Sequence, residues 1–245
     1  MWDRSCIRDK ERRIKQLTGR DSLAIEQSRG KKRLYGDQPL IELSCDAILF
    51  DMDGTLVDST RCDERIMGRW AEKHGLDREF VLQTSLGRRT IDAIRETAPH
   101  LNIEEEARAI DAEELIERDG IMEIQGAQHL LSKLKPHQWA IVTSASRALA
   151  TFRLGCAGLP LPQLLVCGDE VTNGKPDPEG YLKAAHQLHV SPARCLVVED
   201  TPAGILAGRS AGMNVLALTT TYAPDKLLGA TSIPNFDAVE FHLER

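Results

Sequence analysis

Aromatic side chains are scarce in this sequence: its 245 residues include three Trp, three Tyr and five Phe, 4% in all. Aliphatic residues must therefore fill any core. No apolar run approaches the ~18 residues a membrane span needs, so no membrane partner is expected. Residues 1–30 lack the hydrophobic stretch of a secretory signal. The six cysteines, Cys6, Cys45, Cys62, Cys156, Cys167 and Cys195, include no C-x-x-C pair and have no His cluster beside them. That disfavours a zinc site or a disulfide framework and suits reduced thiols in a cytoplasmic protein. A basic face is missing too. The net charge is −6, with eleven Lys/Arg and six Asp/Glu in residues 1–40 and 20 against 31 in the remainder. An acidic body of this kind excludes nucleic acid as the expected partner.

What is present is a set of short apolar runs, each closed by a polar turn: Ala47–Phe50, Trp139–Val142, Leu164–Val166, Cys195–Val198 and Asn214–Leu218. Runs of this length with no polar alternation suit strands buried on both faces. Helical segments stand between them, over Arg147–Ala157, Pro178–Leu188 (apolar face Tyr181, Leu182, Ala185 and Leu188) and Pro202–Ala211. Strands alternating with helices predict an α/β fold, a doubly wound parallel, Rossmann-like sheet with right-handed crossovers. Trp139, at the head of its strand, is expected to seal the sheet edge, and Trp70 to pack within a helix.

One connection is too long for a crossover. Between Asp58 and about Gly126 no strand is expected; the pattern is helical over Cys62–His74, Arg89–Thr97 and Ile103–Arg118, with Gly75 and Gly120 as stops. This predicts an α-helical cap domain at 61–126, inserted into a core of 44–60 and 127–245. It would lie over the carboxyl ends of the strands, where open α/β sheets bind ligands. Residues 1–43 read as an N-terminal extension, with a charged helix between Arg4 and Glu26 and a polar linker from Gly30 to Pro39.

The chemistry is concentrated where the apolar runs end. Phe50-Asp51-Met52-Asp53-Gly54-Thr55 places two carboxylates one residue apart at the end of a buried strand, with a glycine to turn the chain. A calcium loop counted from Asp51 would need Glu at position twelve, where Cys62 stands. One carboxylate can attack phosphorus while the other protonates the leaving oxygen and then activates water. A phosphate ester approaching two carboxylates needs a divalent cation and positive donors. Asp200, in Val198-Glu199-Asp200-Thr201, can complete a Mg²⁺ site with Asp51 and the carbonyl of Asp53, with Glu199 as ligand or supporting neighbour. Thr143 and Ser144 open a helix and can cradle phosphate. Lys175, in Gly174-Lys175-Pro176-Asp177-Pro178, can offset the carboxylates and the phosphoryl oxygens. Asp58 is expected to steady the turn.

FDMDGTLVDS, VTSAS, GKPDPEGY and VVEDTPAGILAG, in this order, resemble the haloacid dehalogenase-like hydrolase superfamily over about residues 46–220. The resemblance implies that Asp51 is the nucleophile, Asp53 the acid/base, Thr143 and Ser144 the phosphate-binding hydroxyl position, Lys175 the matching lysine and Asp200 the metal ligand. The insertion looks like the helical cap of subclass I. Asp53 also discriminates within the family, since dehalogenases lack a carboxylate there and P-type ATPases carry Thr. In the cap, Gly87-Arg88-Arg89-Thr90-Ile91-Asp92-Ala93-Ile94 is similar to glycerol-phosphate and 2-deoxyglucose-6-phosphate phosphatases, which implies substrate contacts by Arg89 and Asp92, with Arg88 beside them.

The reading is a Mg²⁺-dependent phosphoric monoester hydrolase, a monomer acting on a small phosphorylated sugar or polyol. A β-phosphoglucomutase-like phosphomutase is the alternative. That family carries a proton-moving His ten residues after the second Asp, and this chain has Asp63 there. A non-catalytic phosphometabolite sensor is the third reading, weakened by the intact set of Asp51, Asp53, Lys175 and Asp200. The histidines are scattered and read as structural, His74 as a helix-terminal residue.

Overall fold

The structure, a computed structural model, describes residues 34–35 and 38–244. The helix expected between Arg4 and Glu26 lies outside the described residues. Within the expected linker, β1 (Leu34–Tyr35) and β2 (Gln38–Pro39) pair antiparallel. β3 (Ile41–Cys45) runs across the expected start of the core at residue 44.

β4 (Ala47–Phe50) is buried along its length. β5 (Val57–Asp58) leads into the cap helices α1 (Thr60–Lys73), α2 (Arg78–Ser85), α3 (Thr90–Thr97) and α4 (Ile103–Glu114). β6 (Met122–Glu123) and the short α5 (Ala127–Leu131) bring the chain back to the core. β7 (Trp139–Val142), α6 (Arg147–Cys156), β8 (Leu165–Val166), α7 (Glu179–Gln187), β9 (Cys195–Glu199), α8 (Pro202–Ser210) and β10 (Asn214–Leu218) then alternate as the sequence predicts. β11 (Thr231–Ile233) and β12 (Val239–Leu243) close the described chain.

Six strands form a parallel sheet in the order β11-β10-β9-β4-β7-β8, with β4 and β9 in its interior. Because side chains alternate along a strand, β4 feeds both faces. Ile48 and Phe50 join a cluster that runs on into the cap through Ile66, Trp70 and Ile94, and Ala47 and Leu49 join a second cluster against α7 and α8. Cap and core therefore share one continuous apolar body.

Several expectations are corrected. The long insertion does contain a strand: β6 pairs antiparallel with β5, so the two chain crossings between core and cap are joined as a ribbon. The helix expected over Ile103–Arg118 stops at Glu114. Trp139 does not seal an edge, because β7 lies between β4 and β8; its indole packs edge-on against Phe50 at 6.2 Å between centroids. Leu182 is 40% exposed, and Ala184 joins Tyr181 and Ala185 on the buried face of α7. α2 and the strands β3, β11 and β12 were not legible as separate runs. Trp70 is buried as expected, and its indole N–H donates to Glu106 Oε2 at 2.8 Å. His74 caps α1 and lies 3.1 Å from the same carboxylate.

Candidate active site

The loop after β4 is wound onto one carbonyl. The N–H groups of Thr55, Leu56 and Val57 all donate to Met52 O, at 3.2, 2.8 and 2.9 Å. That winding needs a left-handed residue, and Gly54 supplies it at φ 78°. A Cβ at Gly54 would also run into the Asp200 carboxylate. The turn therefore presents Asp51 at the carboxyl edge of the sheet, with its N–H bonded to Val198 O of β9 at 2.9 Å.

Around Asp51 the residues expected from three separate segments converge. Lys175 Nζ donates to Asp51 Oδ1 and, at 2.6 Å, to Glu199 Oε1. Tyr181, fully buried on α7, donates its hydroxyl to the same Glu199 oxygen at 3.1 Å. Glu199 Oε2 accepts from the N–H groups of Asp200 and Thr201 and from the Thr201 hydroxyl, at 2.9, 3.0 and 3.0 Å. Both oxygens of Glu199 are thus engaged, so it holds Lys175 and the Asp200 turn. Asp200 accepts from Thr55 Oγ1 at 3.1 Å and from Thr221 Oγ1.

One oxygen each of Asp51, Glu199 and Asp200 lies within 4.8 Å of the others, and all three residues are buried. One ammonium does not balance three carboxylates in a low-dielectric site. Burial, opposed by Lys175, pushes Asp51 up to about 7. Burial also raises Asp200 well above the ordinary range, helped by the neighbouring charges of Glu199 and Asp51. Burial opposes the charge on Lys175, but Asp51 and Glu199 outweigh it and hold the amine above its ordinary value. An all-oxygen, over-negative donor set of this kind fits a hard divalent cation such as Mg²⁺. The carboxylate of Asp53 is not in the set. Its Oδ1 accepts from Ser59 Oγ at 2.8 Å and from Arg153 Nη1 at 2.7 Å.

A cavity of about 100 Å³ opens over this edge, with Asp51, Asp53, Ser59, Thr143 and Asp200 among its walls and Arg88 reaching it from the cap. Thr143 Oγ1 accepts from Ala145 N at 3.1 Å. Ser144 lines the cavity, and its hydroxyl donates to the cap carbonyl of Gly87 at 3.0 Å. Arg89 and Asp92 do not line this cavity. They form a two-pronged ion pair, with Nε–Oδ2 2.6 Å and Nη2–Oδ1 3.1 Å, and Arg89 Nη1 donates to Val171 O of the core at 3.1 Å. The reason is local. Arg89 caps α3 and its side chain lies along the seam between cap and core, whereas Arg88, one residue earlier, faces the cavity and pairs with Glu96 at 2.7 Å. Asp58 steadies the turn by accepting from Thr60 N at 3.1 Å.

Ser59, Tyr181, Thr221 and Arg153 were not anticipated from the sequence. Arg153 carried a signal: it sits among Leu149, Ala150 and Leu154 on the buried face of α6, an unusual place for an arginine unless carboxylates await it.

The chain matches the family model described as haloacid dehalogenase-like hydrolase over residues 45–212. It is 41% identical to hexitol phosphatase A of Escherichia coli over 181 residues, 72% of this chain and 84% of that protein. It is 34% identical to glycerol-1-phosphate phosphohydrolase 2 of Saccharomyces cerevisiae over 202 residues, 76% and 80% of the two chains. Among solved structures, CbbY from Rhodobacter sphaeroides in complex with xylulose-1,5-bisphosphate superposes with a TM-score of 0.71 at 23% identity, covering 80% of this chain and 97% of that one. At that identity the likeness is one of fold.

Proposed function

The chain belongs to the haloacid dehalogenase-like hydrolase family, and from that premise we propose that it is a Mg²⁺-dependent phosphomonoesterase acting on a small phosphorylated sugar or polyol through an aspartyl-phosphate. The observation that carries this reading is the buried carboxylate cluster around one lysine. Asp51 Oδ1 is held by Lys175, so the carboxylate is fixed in orientation with its other oxygen available to attack phosphorus. The ester P–O bond breaks as the Asp51 O–P bond forms, and Asp53 gives its proton to the departing alkoxide. Asp53 then takes a proton from water as that water attacks the aspartyl-phosphate. The O–P bond to Asp51 breaks, and inorganic phosphate leaves. Thr143, Ser144 and Lys175 bind and orient the phosphoryl oxygens. Asp51, Asp200 and the Asp53 carbonyl would hold Mg²⁺, which supplies positive charge to draw the dianionic ester toward the carboxylates.

The sugar or polyol is supported by the named activities of the relatives, a hexitol phosphatase and a glycerol-1-phosphate phosphohydrolase. Asp63 supports hydrolysis over mutase action, because no histidine stands there to serve a returning sugar hydroxyl. We take residues 44–60 and 127–245 as the core, 61–126 as the cap and 1–43 as an extension, in a monomeric, cytoplasmic enzyme whose cap closes on its own core. Phosphate release from a panel of sugar and polyol phosphates, with and without Mg²⁺, tests the reading. Asp51→Asn is expected to lower turnover by at least ~10³-fold. Turnover that survives this change, or that ignores chelation, overturns it.

A further inference from the structure

Arg153 leaves the core helix α6 and is 3% exposed among carboxyl groups. Its two terminal nitrogens face different parts of the molecule. On the core side, Nη1 donates to Asp53 Oδ1 at 2.7 Å. On the cap side, Nη2 donates to Asp63 Oδ1 of α1 and, at 3.2 Å, to Glu114 Oε1 of α4. A guanidinium is planar and rigid, so holding one nitrogen sets the direction of the other. Ser59, the residue that opens α1, makes the same link: its hydroxyl oxygen lies 2.8 Å from Asp53 Oδ1 and 3.0 Å from Asp63 Oδ2.

Both links reach Asp53 at the same oxygen. An oxygen that accepts from a guanidinium and a hydroxyl is a poor place for a proton, so Oδ2 is left to carry it. The contacts therefore decide which end of the carboxyl group can act as the acid. A general acid also works only within hydrogen-bond reach of the atom that takes its proton, so a side chain free to turn loses that geometry for much of the time. Nη1 and Nη2 of Arg153 are both engaged by carboxyl groups, so the residue acts through Asp53 and not on the substrate. Because the other half of the guanidinium is held by α1 and α4, the orientation of Asp53 depends on those two cap helices being seated.

We propose that Arg153 is the positioning residue of Asp53, tying the orientation of the acid/base to cap helices α1 and α4, so that proton transfer to the leaving oxygen is lost when this tie is lost. The inference rests on the phosphatase reading and deepens it. A polyol departs as a strongly basic alkoxide and needs the Asp53 proton, whereas p-nitrophenol departs as a stabilised phenolate and does not. Arg153→Lys keeps the positive charge but lacks the planar fork that spans core and cap. The quantity read is kcat/KM for the polyol phosphate hydrolysed fastest, divided by kcat/KM for p-nitrophenyl phosphate. In Arg153→Lys this ratio falls at least ~tenfold, a part of the ~10²–10⁴-fold that general acid catalysis supplies. A smaller fall overturns the proposal, because a residue that only held the fold would lower both rates alike. Should Arg153→Lys fail to fold, Asp63→Ala, which leaves Arg153 in place and removes its anchor on α1, is held to the same threshold. Where either rate is too low to measure, hydrogen exchange decides instead, and release of phosphate from no ester at all ends the phosphatase reading separately. Amides of α1 and α4 then exchange at least ~fivefold faster in the variant, relative to those of α7 on the opposite face of the sheet. A smaller difference overturns the tie.

Discussion

Lys175 stands between two buried carboxylates, and its loss leaves both uncompensated. Removing one partner of a buried ion pair costs about 3–5 kcal/mol. Lys175→Met is therefore expected to lose about 3 kcal/mol in urea unfolding with chelator present, and to regain part of it in Mg²⁺. Equal stability of the two proteins in chelator would show that the carboxylates are neutral without the lysine. Glu114 gives a prediction in pH. Burial, opposed by Arg153, pushes it up to about 8. An unfolded Glu titrates near ~4.3, so between those values the folded chain holds a proton the unfolded chain has released, and stability falls as pH rises through that window. The drop in Tm from pH 5 to pH 8 should be smaller in Glu114→Gln than in the parent; equal drops would mean that Glu114 ionises as freely folded as unfolded. Asp51, Asp53, Lys175 and Asp200 were legible in the sequence because each lies at or beside the end of an apolar run or in a Gly/Pro turn. Tyr181 and Arg153 were not, because their importance depends on which carboxylates lie opposite their helices.

Helices and turns are held in place by close approaches that only glycine permits. Gly204, on α8, faces the Glu199 carboxylate, and a Cβ there would overlap it. Overpacking of this sort costs about 1–3 kcal/mol, and here it displaces the residue that holds Lys175. Gly204→Ala should lower both the urea midpoint and turnover, and a variant with parental values of both would show that α8 shifts without penalty. Gly87, in the cap turn at φ 70°, comes against Thr201 while its carbonyl takes the Ser144 hydroxyl. The seam between cap and core is thus built from backbone as much as from side chains. The sequence shows charges at a helix start, while the direction of Arg89 toward the Val171 carbonyl depends on where the core surface lies. α2 leaves no periodic mark in the sequence for a related reason. Only Val81 and Thr84 of its eight residues are buried, too few to set a period, and Phe80 on it is 51% exposed.

Across the molecule, excess negative charge at the sheet edge predicts a stability that depends on bound cation. A ligand that binds only the folded state stabilises by mass action, about 2.7 kcal/mol at a hundred times its Kd. Mg²⁺ at that excess should raise Tm by roughly 5–11 °C for a chain of this size, and Asp200→Asn should abolish the rise. A rise that persists in Asp200→Asn would place the cation elsewhere. The shared apolar cluster of cap and core, running from Phe50 through Trp70 to Ile94, predicts that the two parts unfold together in that measurement.

The parallel sheet, the helical insertion after β4 and the carboxylates proposed as catalytic follow from local chemistry: buried strands need unbroken apolar runs, and these acids sit where those runs end. The ribbon of β5 and β6, the pairing of β3 with β12, the turning of Arg89 into the seam and the joining of Arg153 to Asp53, Asp63 and Glu114 do not. Each links residues far apart in the chain, and such contacts exist only once packing has brought two distant surfaces within hydrogen-bonding distance.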